Sequence, residues 1–281
     1  MSTKLKCLMT IPLGYLILAF SRNLSLRVFR YGLPSPVDEF IYVGIDVLAV
    51  IFLVYLYNQY VLKLQWRDIY VCRPAPRTKW VFIAVLLSSV VLCCCLFLTQ
   101  GTLVRGDVSR EKAIDLFFNT VLGGGLRAAV TEEIIFRGLI FSSLQKVKGT
   151  KIAIIGSAVL FAAMHLVNID ITNIHNVISL LVAITIVGCA FSLIVIETGS
   201  IWSGVAFHGI YNIISGDMDI LHVSAAESFP SIWLYKMDRE YRWITGIIGS
   251  DDIETGLPAM IGFIIVIIVA LYLIKKKQSK K

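Results

Sequence analysis

The chain has 281 residues, 57% of them hydrophobic and only 16% charged, with a mean hydropathy of +0.79. A soluble domain carries about a quarter charged residues, so composition excludes one, and the long apolar runs make this a polytopic membrane protein. The formal net charge of +7 comes partly from the tail "KKKQSKK" and partly from the loop "KLQWRDIYVCRPAPRTK". Both flank apolar runs, a placement that speaks for anionic lipid and membrane topology and against a nucleic-acid partner.

Apolar runs of about 20 residues cross a bilayer as helices, and eight candidate spans follow in chain order: 8–20, 39–62, 80–99, 113–145, 151–167, 175–196, 200–215 and 258–274. The expected fold class is therefore all-α, a polytopic membrane helical bundle of about eight transmembrane spans. The first run leads into Ser21-Arg22-Asn23-Leu24 rather than a small-residue cleavage site, and is read as a retained span. Span 113–145 is too long for one straight crossing. Its Gly123-Gly124-Gly125 run weakens a helix by about 1 kcal/mol per residue relative to Ala. A break or re-entrant half-helix is expected there, with the second half opening near Ala128.

The six cysteines show no CxxC or Cys/His spacing that suggests zinc, and no disulfide framework. Loop 216–257, with Trp233, Tyr235, Tyr241 and Trp243, is expected to lie on the interface as a cap. Eight spans set both termini on one side. Lys and Arg number 15 on that side against 9 on the other, so the positive-inside rule puts both ends in the cytosol. Three regions result: N-terminal transmembrane helices without a motif (1–112), a core carrying the chemistry (113–215), and an extramembrane loop with a last transmembrane helix and basic tail (216–281).

The chemistry begins in "VTEEIIFRG", residues 130–138. Each Glu or Arg at mid-bilayer costs about 2.5–3.5 kcal/mol on insertion scales, so these groups should face the bundle interior or water. Glu133 and Arg137 are four apart and can pair on one helical face. Glu132 points about 100° away and stays free to bind something. Two further stretches supply partners: "LFAAMH", where Phe161 and His165 are four apart, and "FHGIYN", where His208 and Asn212 are four apart. Both imidazoles lie in apolar helices, where a polar ring needs a partner. A Glu, two His and an Asn suit hydrolysis of an amide bond: a carboxylate accepts a proton from attacking water, and N–H donors stabilise the oxyanion.

"EEIIFRG", "FAAMH" and "HGIYN" resemble the EExxxR, FxxxH and HxxxN motifs of the CPBP family of intramembrane proteases, which includes CAAX prenyl endopeptidases and bacteriocin-processing or self-immunity proteins. The resemblance covers roughly residues 113–215 and has all three motifs in order. It implies an intramembrane glutamic endopeptidase, with Glu132 as the base that activates water and Glu133 with Arg137 as its brace. His165 would then position the water, and His208 with Asn212 would hold water and oxyanion. No metal and no cofactor is implied. The implied partner is a peptide or protein substrate cut near the membrane. The mix of basic, aromatic and small residues is bacterial in style, so a bacterial cell membrane is the expected location.

Three rival readings use the same residues. Glu, His and His are zinc-type ligands, although HExxH is absent. A non-proteolytic immunity or binding protein would keep the scaffold and use loop 216–257 for recognition. A transporter would use intramembrane carboxylates, but no inverted repeat is seen. Asp46, inside the second span, has no assigned partner.

Overall fold

The computed structural model describes residues 2–216, 219–225, 230–246 and 253–280. Parts of the expected cap, 217–218, 226–229 and 247–252, lie outside the described residues. Among the described residues, seven helices are long and apolar enough to cross a membrane: α1 (Lys4–Tyr31), α2 (Val37–Leu62), α3 (Thr78–Leu98), α4 (Arg110–Lys148), α5 (Thr150–Asn168), α6 (Ile174–Thr198) and α8 (Leu257–Gln278). The eighth expected span, 200–215, is α7 (Trp202–Tyr211), ten residues long and extended by a five-residue π turn, Asn212–Gly216. It is helical as expected but shorter than a full crossing requires.

The expected break in the fourth span does not occur. Residues 110–148 form one helix of 39 residues, which widens to π geometry over Asn119–Arg127 and again over Ile134–Ile140. Between the two stands the α-helical turn Ala128–Glu133 that carries both acids. Opening the helix would leave backbone groups without partners where water is scarce, whereas the wider turn keeps them bonded.

Helix α6 is the centre of the bundle. Over its most apolar window 56% of residues are buried, against 22–44% in the other long helices. It meets α5 closely because Gly188 has no side chain: a Cβ there would stand 2.8 Å from Ala158. Such close small-residue packing is how helices associate when lipid is as apolar as they are. On the outside, Leu48, Phe52, Phe82, Phe97, Ile268 and Leu271 are exposed, an apolar belt that suits contact with acyl chains.

One end of the bundle is tied by polar contacts. Lys6 Nζ donates to the Val61 carbonyl (3.1 Å), and the Tyr70 hydroxyl donates to Gln145 Oε1 (2.7 Å). Lys79 and Lys277 both reach Glu197 Oε1, at 2.8 and 2.7 Å, while Trp80 Nε1 donates to Glu197 Oε2 at 2.9 Å. These bonds gather the segments next to both termini with the basic loop 63–79. The opposite end is closed by a small sheet, β1 (Gly101–Arg105), β2 (Leu221–Ser224) and β3 (Trp233–Met237), in the order β1-β3-β2. β1 pairs antiparallel with β3, Gly101 opposite Met237, and β2 runs parallel to β3, Leu221 opposite Trp233. The expected cap is thus partly a sheet stitched to the segment after α3.

Candidate functional site

The acids of α4 meet α7 because glycines remove the side chains that would hold the two helices apart. A Cβ on Gly204 would lie 3.1 Å from Glu133 Oε2, one on Gly209 would lie 3.1 Å from the Gly125 carbonyl, and one on Gly125 would lie 2.5 Å from Ile213 Cγ1. With that approach made, His208 on α7 faces both carboxylates. Its Nδ1 is 3.3 Å from Glu133 Oε1 and its Nε2 is 4.0 Å from Glu132 Oε2.

The two carboxylates are held differently. Glu133 Oε1 accepts from Arg137 Nη1 at 2.8 Å, and both side chains are fully buried. The Arg137 guanidinium lies 4.1 Å from the Phe161 ring centre and 5.1 Å from that of Phe191, so aromatic faces meet charge that hydrogen bonds leave unmet. Glu132 is 15% exposed at its side chain. Its Oε2 is buried and, among the described residues, has no hydrogen-bond partner. The pairing expected from the spacing, one acid neutralised and one unspent, is what the structure contains.

Phe161 is the hub. Its ring is 4.8 Å from that of His165 and 6.0 Å from that of His208, edge-on in both cases, while Phe191 stacks on His208 at 5.1 Å. His165 stands at the end of α5, its Nδ1 2.9 Å from the Phe161 carbonyl, which leaves Nε2 for another partner. Asn212, one turn beyond His208, donates from Nδ2 to the Gly124 carbonyl at 2.9 Å. An amide nitrogen carries two protons, so one remains.

Thus Glu133 bonds both Arg137 and His208, Glu132 stands 4.0 Å from His208, His165 joins through Phe161, and Asn212 ties α7 to the glycine run of α4. Sequence reasoning did not find Phe191, which belongs to no motif, or Gly204 and Gly209, whose role depends on which helix lies opposite. Phe161 was in view as part of a motif but without a task. Among the described residues, no group of three His, Cys, Asp or Glu side chains is arranged to hold a metal ion. Asp46 finds its partner in Arg127, Nη1 to Oδ2 at 3.1 Å. A cavity of about 390 Å³ opens beyond Asn212, bounded by Ile213 and Ile214 and roofed by Leu103, Leu221 and Trp233 of the sheet.

A multi-pass helical membrane protein with a buried cluster of acid, imidazole and guanidinium is the class these features define. The family model described as Rce1-like, "Type II CAAX prenyl endopeptidase Rce1-like", matches residues 112–214. That segment runs from the start of α4 to the π turn after α7 and holds all three motifs, which supports the resemblance to intramembrane proteases of the CPBP family. No curated protein and no solved structure matches the chain.

Proposed function

We propose that this protein is an intramembrane endopeptidase in which Glu132 activates the water that attacks a peptide bond. The observation that carries the reading is the pair of Glu132 Oε2 and His208 Nε2: a buried oxygen with no bonded partner, facing an imidazole nitrogen 4.0 Å away. That separation is too long for a direct hydrogen bond and suits one water touching both. Glu132 takes the proton as water attacks the carbonyl, and later returns it to the leaving amine. Glu133, neutralised by Arg137 and bonded to His208 Nδ1, fixes the ring so that Nε2 points at the reacting atoms. The developing oxyanion is met by the remaining N–H of Asn212 and by His208 Nε2 in the imidazolium form that faces the Glu132 and Glu133 carboxylates, and His165 Nε2 helps to hold the water. The cavity beyond Asn212 takes apolar residues of the substrate. In this reading residues 113–215 are the catalytic core, 1–112 and 216–281 support it, and the end of the bundle with both tails faces the cytosol.

The test compares the N- and C-termini of all membrane proteins in cells carrying the native protein and in cells carrying Glu132→Gln. Termini that vanish with the variant, at equal protein abundance, identify the substrate. Unchanged termini would remove Glu132 from the role of base.

A further inference from the structure

At the sheet end of the bundle a second cavity, of about 220 Å³, lies where the start of α2 meets α4; Ser35, Asp38, Glu39, Lys112, Asp115 and Asn119 line it. Three of these carry negative charge and one positive. Glu39 is 92% buried by its 8% exposure, and its Oε2, like Ser35 Oγ, is enclosed without a hydrogen-bond partner among the described residues. That oxygen lies beside the backbone of α4: a Cβ on Gly123 would lie 3.8 Å from it. An enclosed oxygen without a donor costs stability, so this position is suited to a partner that brings one.

The cations nearby are not that partner. Arg127 is bonded to Asp46 at 3.1 Å and acts on Glu39 only through its charge, and among the described residues the exposed Lys112 makes no ion pair with the cavity's acids. Asn119 is turned to Asp219, donating from Nδ2 at 2.6 Å. Nor do the acids converge as metal ligands, since no such triad occurs among the described residues. Spread carboxylates around a narrow cavity suit an ammonium or guanidinium on a flexible stem.

We propose that this cavity receives a lysine or arginine side chain of the substrate. The inference rests on the proteolytic reading and adds a specificity element to it. Gly123 is nine residues before Glu132, about 13 Å along a helix, and an extended peptide covers that distance in about four residues. The substrate's basic residue therefore stands about four to six positions from the bond that is cut. Gly123 also neighbours Gly124, whose carbonyl holds Asn212, so the cavity and the reacting end of α7 share one stretch of α4.

The experiment uses full-length protein carrying Glu132→Gln, in detergent free of ethanolamine lipids, with binding read by ligand-observed NMR. The probes are the N-acetyl methylamides of lysine, arginine and norleucine. Lysine and arginine should bind and norleucine should not, and adding Glu39→Gln should weaken the cationic probes roughly tenfold, the weight of one charge-assisted hydrogen bond. Asp115→Asn, at a half-buried position, serves as a second variant with the same expected direction. Without probe, Glu39→Gln should melt no lower than its parent, because it removes an unpaired charge. Equal binding of norleucine, or cationic binding indifferent to both substitutions, overturns the proposal. So does displacement of the lysine probe by stoichiometric calcium, or by phosphatidylethanolamine vesicles but not by phosphatidylcholine ones. Because binding is read without turnover, loss of Glu39-dependent binding with cleavage intact sinks the cavity alone. Absence of any Glu132-dependent product sinks the protease reading instead.

Discussion

Arg137 and Glu132 sit five residues apart on one helix and answer to different physics. Arg137 is fully buried and meets Glu133 at 2.8 Å between two aromatic faces. Arg137→Ala would strand the Glu133 carboxylate, and breaking one side of a buried pair costs about 3–5 kcal/mol. A marked fall in thermal stability in detergent is expected, with activity lost alongside. Glu132→Gln should do the reverse: its Oε2 has no bonded partner to lose, so stability should change by less than about 1 kcal/mol while cleavage stops. If both variants lose stability alike, Glu132 is part of the brace. Asp46 shows the limit of reading residues one at a time: its partner Arg127 is 81 positions away, and nothing in the local pattern of α2 names it.

The close approach of α4 and α7 is carried by glycines, so small additions should separate the two helices. Gly209→Ala meets the Gly125 carbonyl at 3.1 Å, a backbone atom that cannot rotate away. Overpacking of this kind costs about 1–3 kcal/mol, and the larger loss should be in kcat as His208 is drawn from Glu132. Gly125→Ala meets the Ile213 side chain instead, so activity lost there should return in the double variant with Ile213→Ala; failure of that rescue would place the strain elsewhere. At this scale the sequence was informative where spacing alone decides a face: the EExxxR, FxxxH and HxxxN positions each fell on a helix, and the first motif gave the Glu133–Arg137 pair. It misled at Gly123-Gly124-Gly125, because the backbone entropy that glycine loses in a helix, about 1 kcal/mol per residue, is small beside the cost of leaving backbone groups unbonded in a bilayer. The small sheet was hidden for another reason. Its strands are four or five residues long, and β1 and β3 come from segments separated by α4 to α7, so no local alternation announces the pairing.

Across the whole molecule, the contacts Lys6–Val61, Lys79–Glu197 and Lys277–Glu197 put both tails at the same end as the basic loop. Single cysteines introduced at Ser2 and Lys280, in a background free of native thiols, should therefore react with an impermeant maleimide from one side of sealed vesicles. A cysteine at Val104 on the exposed β1 should react from the other. Labelling of all three from one side would contradict the arrangement. Glu197 is the fastening at the tail end: its side chain is fully buried and takes Lys79, Lys277 and Trp80. Glu197→Gln should lower stability by about 1–3 kcal/mol, measured as a lower unfolding temperature, with cleavage chemistry unchanged in the folded fraction.

That fastening also bears on biogenesis. Of the two ammonium groups on Glu197, one belongs to a helix made early and the other to the last helix of the chain, at position 277. Lys79 alone balances the single negative charge of Glu197, so a neutral pair can form before the helix that carries Lys277 is made. Lys277 then docks that helix by adding a second ammonium to a carboxylate already neutralised.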